Sequence, residues 1–358
     1  MTIHVFNPDH DIALASNQSN YTTPRVGREL HRDLGYIPML WAKRGDVVVV
    51  DDVEQAEQDY SALGVPQHVA AQFVTLGQLP QTFKGKHTIE VAPWGWNTAI
   101  RNTLLEAGVP ETSMPDIRQL ETIRELSSRR LAVRMLDSFK DRDGLTGFSR
   151  PCDSFEEVMS FLIHNKDIVI KAPWSSSGRG VRYTKEGEAE HDESLIRWIH
   201  NVIDRQGFVV AEERCDKEMD FAVEFTALPD GKVQCCGLSL FSTKGSAYTG
   251  NLLLTEREKE NIIDRYIPIN RLNRIIIESE RFLGEHIARQ YVGPLGVDMM
   301  IVRGDEEGSY MLNPCVEINM RRTMGHVALA LTKKGKRGMM CIDSHDGHFD
   351  LHVSDVES

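Results

Sequence analysis

The sequence predicts a mixed α/β and α+β chain, with a small parallel-sheet domain at the N-terminus and antiparallel sheets after it. Three observations carry this. Over roughly the first hundred residues, short apolar runs alternate with helical patterns, as in a parallel-sheet domain. Later strands come as hairpins, above all in GPLGVDMMIVRGDEEGSYMLNPCVEINMRRTMGH from Gly293 to His326. There, apolar runs at Val297 to Val302, Tyr310 to Leu312 and Cys315 to Ile318 surround an acidic, Gly-containing turn. A length of 358 residues is also enough for two or three lobes with cores of their own.

Composition narrows the function classes. Hydrophobic content of 41% and charged content of 26% are ordinary for a globular protein in water, and no apolar run approaches the ~18 residues of a membrane span. The opening MTIHVFNPDHD enters a strand pattern at once and lacks the basic and apolar regions of a signal peptide, so a cytoplasmic location is expected. The six cysteines form no C-x-x-C pair and are expected to be buried, reduced thiols. A net charge of -12 disfavours a broad nucleic-acid surface. Neither nucleic acid nor membrane is therefore expected as a partner, and anionic substrates must be met by local basic clusters.

Ile3 to Phe6 begins the parallel sheet, and the loop Asn7 to Asp11 follows it, where an open α/β sheet places ligands. Helix capping is the plainer account of that loop. No G-x-G-x-x-G is present, so a dinucleotide fold is not supported. A helix is expected over Thr23 to Leu34, a buried strand over Gly45 to Asp52, and further elements at Phe73 to Leu76, Thr88 to Ala92 and Thr98 to Ala107. The tryptophans of PWGW, Trp94 and Trp96, suit packing at a domain interface better than pocket lining. Pro110 and Pro115 mark a boundary.

Asp116 to Phe139 reads as helical, with Leu120, Ile123, Leu126, Leu131, Met135 and Leu136 near helical spacing. Asp167 to Pro173 is a short apolar strand ending in Lys171, followed by WSSSGRGV. A lysine at the end of a buried strand beside a Ser/Gly loop puts a cation and backbone N–H groups where phosphate oxygens would sit. It is not a Walker loop. FVVAEE, ending at Glu213, and DFAVEF, starting at Asp220, repeat the pattern of strand and charge. Lys232 to Thr243 continues the sheet, and Phe241 to Asn251 reads as a polar Gly-rich turn carrying Lys244. Leu272 to Gln290 is an amphipathic helix leading to the hairpin.

Within that hairpin, Asp298, Glu317 and Asn319 interrupt apolar strands. Glu317 and Asn319 share a face, and Asp298 lies beside them if the strands pair. Three oxygen donors with Arg321 just beyond suit Mg2+ carrying a polyphosphate; polar residues on a half-solvated strand are the plainer account. His326 to Leu331 reads as a packing helix. The tail holds His345, His348 and His352 at irregular spacing, which favours a solvated terminal strand over a metal site.

The pattern from Asp298 through VEINMR resembles the metal-binding end of the ATP-grasp superfamily, usually E-x-N-P-R, with Met320 in place of the Pro. Upstream parts match in order. SSRRLAVRML resembles the segment S-D-K-x-x-x-x-x-x-L, with Arg129 or Arg130 where the phosphate-touching Lys stands; Arg130 is the site residue expected. VIKAPWSSSGRGV is similar to V-x-K-P-x-x-x-S-x-G-x-G-V with Ala172 inserted. The resemblance implies that Ser176, Ser177, Gly178 and Gly180 belong to a loop that folds over the phosphates. Glu213 through Cys215 would line the adenine, Asp220 would hold the ribose, and Glu212 would replace Glu213 if the register slips by one.

The resemblance covers Asp116 to Leu331. It implies a pre-ATP-grasp-like domain over 1–115, a small lobe over 116–211, a large lobe with the metal site over 212–340 and a tail over 341–358. It further implies ATP with Mg2+ or Mn2+ on Asp298, Glu317 and Asn319, and catalytic roles for Lys171, Arg321 and Lys244. The activity implied is ligation of a small-molecule or peptide carboxylate, activated as an acylphosphate, to an amine, with a homodimer allowed for. The carboxylate would lie between Arg321 or Arg322, Lys244 and the Asn7 to Asp11 loop. A phosphotransferase is the alternative. A non-catalytic nucleotide-binding module is disfavoured because all three ligand positions are filled.

Overall fold

The structure, a computed structural model, describes residues 1–65, 71–85, 88–175, 180–244, 247–287 and 289–355. Its first sheet is parallel, in the order β3-β2-β1-β4, from β1 (Thr2–Val5), β2 (Val47–Val49), β3 (Gln72–Val74) and β4 (Glu90–Pro93). The helices α1 (His10–Ser16), α2 (Arg25–Leu34), α3 (Val53–Ala62), α4 (Leu79–Thr82) and α5 (Thr98–Glu106) accompany it. Local chemistry sets two of the starts: Asp52 accepts from the Gln55 N–H and Asn97 from the Ile100 N–H, each satisfying an otherwise orphaned first-turn donor.

The stretch expected as one helix is two, α6 (Ile117–Leu126) and α7 (Arg129–Ser138), divided at Ser127 and Ser128. Both bury their apolar faces, including Leu120, Ile123, Leu131 and Met135, in the core of the large sheet rather than of the small one. The small sheet, β5 (Ser149–Cys152), β6 (Asp167–Lys171), β7 (Val181–Lys185) and β8 (Val209–Glu213), is antiparallel in the order β5-β8-β6-β7. It packs on α8 (Phe155–Asn165) and α9 (Glu193–Gln206). The lobe boundary expected at 211/212 therefore falls inside β8, and the expected small lobe loses its first two helices to the large one.

The large sheet has seven strands in the order β13-β12-β9-β10-β11-β14-β15. They are β9 (Lys217–Ala227), β10 (Val233–Lys244), β11 (Ala247–Leu253), β12 (Gly293–Arg303), β13 (Tyr310–Asn319), β14 (Gly338–His345) and β15 (His348–Ser354). The helices α10 (Glu256–Ile263), α11 (Ile269–Ile287) and α12 (Met324–Lys333) complete this part. Alternation on β9 is strict: Phe221, Val223 and Phe225 enter the core with α6, α7 and α11, while Asp220, Ala222 and Glu224 face the other way. Phe221 and Phe225 are 0% exposed, each worth roughly 2–3 kcal/mol of apolar burial.

Two expectations change here. The segment Phe241 to Asn251 is mostly strand, the ends of β10 and β11, because its Tyr248 and Asn251 have buried partners to reach. The expected tail is the hairpin β14–β15, which extends the large sheet and lies against α2. Leu351 and Met340 share a core with Phe6, Leu34 and Trp94 of the first domain and with Leu253 and Val327 of the large lobe. Trp94 meets Phe6 edge-on at 4.8 Å in this shared core and also borders the cleft, so it does both of the things between which the sequence reading chose.

Candidate active site

The two antiparallel sheets and the first domain enclose a cleft of about 1150 Å³. From the small sheet, Lys171 closes β6. It lies diagonally across from Glu212 of β8, since Lys171 pairs with Val210 and Val169 with Glu212, and its Nζ meets Glu212 Oε2 at 2.5 Å. Glu213, next along, turns out to solvent as the period of two requires, yet still borders the cleft with Cys215. Burial drives the Cys215 thiol up to about 12, with Glu213 adding to the effect. The Ala172 N–H donates to the Gly180 carbonyl at 2.8 Å, closing the base of the Ser/Gly loop. Ser176, Ser177 and Gly178 lie outside the described residues, as does the side chain of Lys244.

From the large sheet, the register across β9, β12 and β13 sets residues in rows. Asp220 and Met300 form one row, Ala222, Asp298 and Glu317 the next, and Glu224, Gly296 and Asn319 the third. Asp298 and Glu317 are thus directly opposed, and Asn319 Nδ2 donates to Asp298 Oδ2 at 3.2 Å. Burial pushes the Asp298 carboxyl well above the usual carboxylate range, and Glu317 and Glu224 push it further. Asp220 accepts on one oxygen from Lys217 Nζ at 2.6 Å and from Thr243 Oγ1 at 3.1 Å.

The link between the sheets is Arg129. Its Nε donates to the Ala172 carbonyl at 2.9 Å, and its Nη2 reaches Ser175 Oγ at 3.3 Å and Glu317 Oε1 at 2.9 Å. Burial opposes its charge, but Glu317 and Glu212 more than offset that and raise its pKa. Nη1 has no partner. Arg130, the residue expected there, turns outward: it stacks over Phe208 at 4.0 Å and meets Asp153 at 3.1 Å. Successive helical residues are about 100° apart, so only one of the pair can face the cleft.

Arg321 and the Asn7 to Asp11 loop do meet. Arg321 Nε and Nη2 donate to Asp11, the latter at 2.8 Å, and Nη1 donates to the Arg322 carbonyl at 3.0 Å. Burial pushes the Asp11 carboxyl up, but the charge and hydrogen bonds of Arg321, with His10 and Arg129, together bring it below the usual carboxylate value. Arg322 points elsewhere, 4.2 Å over the Trp41 ring, and burial lowers its pKa to about 10. Arg322 is thus separated from the cleft that Arg321 lines.

Among the described residues, no three His, Cys, Asp or Glu side chains converge on one point, so any cation here would rest on two carboxylates and an amide. The donor chemistry fits one. Of the two half-buried acids facing each other, Glu317 has Arg129 beside it while Asp298 has only the Asn319 amide, and all three donors are hard oxygens suited to Mg2+ or Mn2+. Glu224, in the adjoining row, is a cleft residue that sequence reasoning missed; the signal was the period of two running on from Asp220.

The class these features define is a mixed α/β protein with a ligand-sized cleft between two antiparallel sheets. No family model and no curated protein matches the sequence. Solved structures similar in fold include N5-carboxyaminoimidazole synthetase from Staphylococcus aureus complexed with ADP, at 12% identity and a TM-score of 0.46, over 98% of this chain and 79% of that one. N5-carboxyaminoimidazole ribonucleotide synthetase from Thermus thermophilus aligns at 13% identity and a TM-score of 0.47, over 96% and 83%. A protein from Archaeoglobus fulgidus described as ATP-grasp aligns at 12% identity and a TM-score of 0.48, over 100% of both chains.

Proposed function

We propose that this chain is an ATP-dependent ligase of the ATP-grasp type, which activates a small-molecule or peptide carboxylate as an acylphosphate for attack by an amine. The observation that supports it is the meeting of Lys171, Arg129 and the Asp298–Glu317–Asn319 group in one cleft, from opposite sheets. Asp298, Glu317 and Asn319 would hold Mg2+ or Mn2+, which when bound neutralises polyphosphate charge. Lys171 and Arg129 would face the phosphates from the other side, and Asp220 would take the ribose hydroxyls through its carboxylate. The resting contacts of Lys171 with Glu212 and of Arg129 with Glu317 keep both cations in place before the nucleotide arrives. Lys244 is proposed to reach the terminal phosphate or acceptor from the β10–β11 hairpin.

Trapping with hydroxylamine tests this. Supplied with ATP, a divalent cation and a panel of carboxylic acids, the protein is expected to form a hydroxamate with at least one acid and to release ADP. A stable phosphorylated product that needs no amine would instead identify a phosphotransferase.

A further inference from the structure

Glu317 is claimed twice. It is one oxygen donor of the Asp298–Glu317–Asn319 group, and its Oε1 is already held at 2.9 Å by Arg129 Nη2. Arg129 is not a surface side chain that swings away. It is 6% exposed, its backbone N–H donates to the Pro173 carbonyl at 3.2 Å, and its guanidinium is tied to the Ala172 carbonyl through Nε and to Ser175 Oγ through Nη2. Glu317, by contrast, keeps 30% of its side chain exposed and lines the cleft. The cation is fixed and the carboxylate is reachable.

The consequence is electrostatic. A divalent cation on a carboxylate sits about 2 Å from its oxygen, so a metal on Glu317 and the Arg129 guanidinium would stand about 5 Å apart across one carboxylate. A double and a single positive charge at that range repel strongly where burial limits screening by water and salt. The ion pair also orients Glu317, which favours a metal, but restricting one side chain counts for little beside that repulsion. A polyphosphate reverses the balance, because its oxygens offer the guanidinium charge-assisted partners of their own and offset both cations at once. We infer that Arg129 is a gate on the metal group: it keeps divalent cations off Glu317 in the free protein and yields that carboxylate when a polyphosphate takes over the guanidinium, so the metal enters with the nucleotide rather than before it. The inference rests on the metal group of the ligase reading and adds the order of assembly.

Titration of the full chain with Mn2+ in the absence of nucleotide, followed by the paramagnetic resonance of the free ion, tests it. Arg129→Gln is expected to bind Mn2+ about tenfold or more tightly than wild type, since it removes a close, buried like charge. Arg130→Gln, which removes the same charge from the outward-facing neighbour, should stay within about twofold of wild type. Arg129→Lys, which keeps the charge, should bind more weakly than Arg129→Gln, and adding Glu317→Gln to Arg129→Gln should abolish the gain. Should Arg129→Gln fail to fold, wild type carries the test with isotope-labelled arginine. Its Arg129 guanidinium resonance should then stay in place with millimolar Mg2+ alone and move when a non-hydrolysable ATP analogue is added with it; movement with Mg2+ alone overturns the gate. Equal Mn2+ affinity in wild type and Arg129→Gln, or an equal gain in Arg130→Gln, overturns the gate and leaves the metal group standing. Mn2+ binding that depends on Glu317 in none of these proteins removes the metal group of the ligase reading, and the gate with it.

Discussion

His10 shows how much a single enclosed side chain dictates. Its ring presses on Gly95, where a Cβ would lie 2.6 Å away, its Nδ1 meets Asn97 Nδ2 at 3.1 Å, and among the described residues its Nε2 has no hydrogen-bond partner. Burial lowers its pKa to about 4, overriding the opposite pull of Asp11. At His10 the folded chain therefore binds fewer protons than the unfolded chain between the ordinary histidine value and about 4, so the stability that His10 contributes falls as pH drops through that window, by about 1.4 kcal/mol per pH unit, and levels off below the folded value. Asp298, whose carboxyl the fold raises, pulls the opposite way over the same window, so the His10 contribution is read as the difference in urea midpoints between wild type and His10→Leu; a difference that does not change with pH would assign the effect elsewhere. The two adjacent arginines make a second comparison. Arg129→Ala strands Glu317 and empties a buried site, so it should cost about 3–5 kcal/mol, whereas Arg130→Ala should stay within about 0.5 kcal/mol. Equal urea midpoints for the two would contradict the orientation of α7. The sequence reading fell on Arg130, because RR offers two identical charges and only the helix phase separates them.

Among the elements, those with a one-dimensional signal were legible. The apolar runs of β1, β2, β6 and β12, the strand-end position of Lys171 and the opposed acids of the β12–β13 hairpin all follow from alternation and composition. Which sheet α6 and α7 would cover was not legible, because an amphipathic face does not name its partner. Nor was the last hairpin: GMMCIDSH and HFDLHVS carry enough His and Asp to read as solvated, although β14 is paired on both sides and only β15 is an edge strand. The placement has a test. Truncation after Arg337 removes β14 and β15, leaves the edge of β11 unpaired and strips cover from Leu253, Val327 and Phe6. Such a chain should be aggregated or unfolded on size-exclusion chromatography. A soluble truncated protein with an unchanged melting temperature would mean that the segment is a dispensable tail after all.

At the scale of the whole molecule, the three sheets divide unequally. The first domain and the large sheet share one apolar core and are joined again by the Asp11–Arg321 pair, while the small sheet keeps its own core on α8 and α9. Hydrogen exchange should report this partition. Amides of Phe6, Leu253 and Met340 should exchange only by global unfolding, and binding of ATP with a divalent cation should slow exchange mainly in the linkers around 140–148 and 214–216. Equal slowing on both sides would contradict it. The shared core also bears on how such a protein moves. The small sheet, with a core of its own, has room to shift against the rest without unpacking, whereas the first domain is welded to the large sheet and moves only if their common core opens.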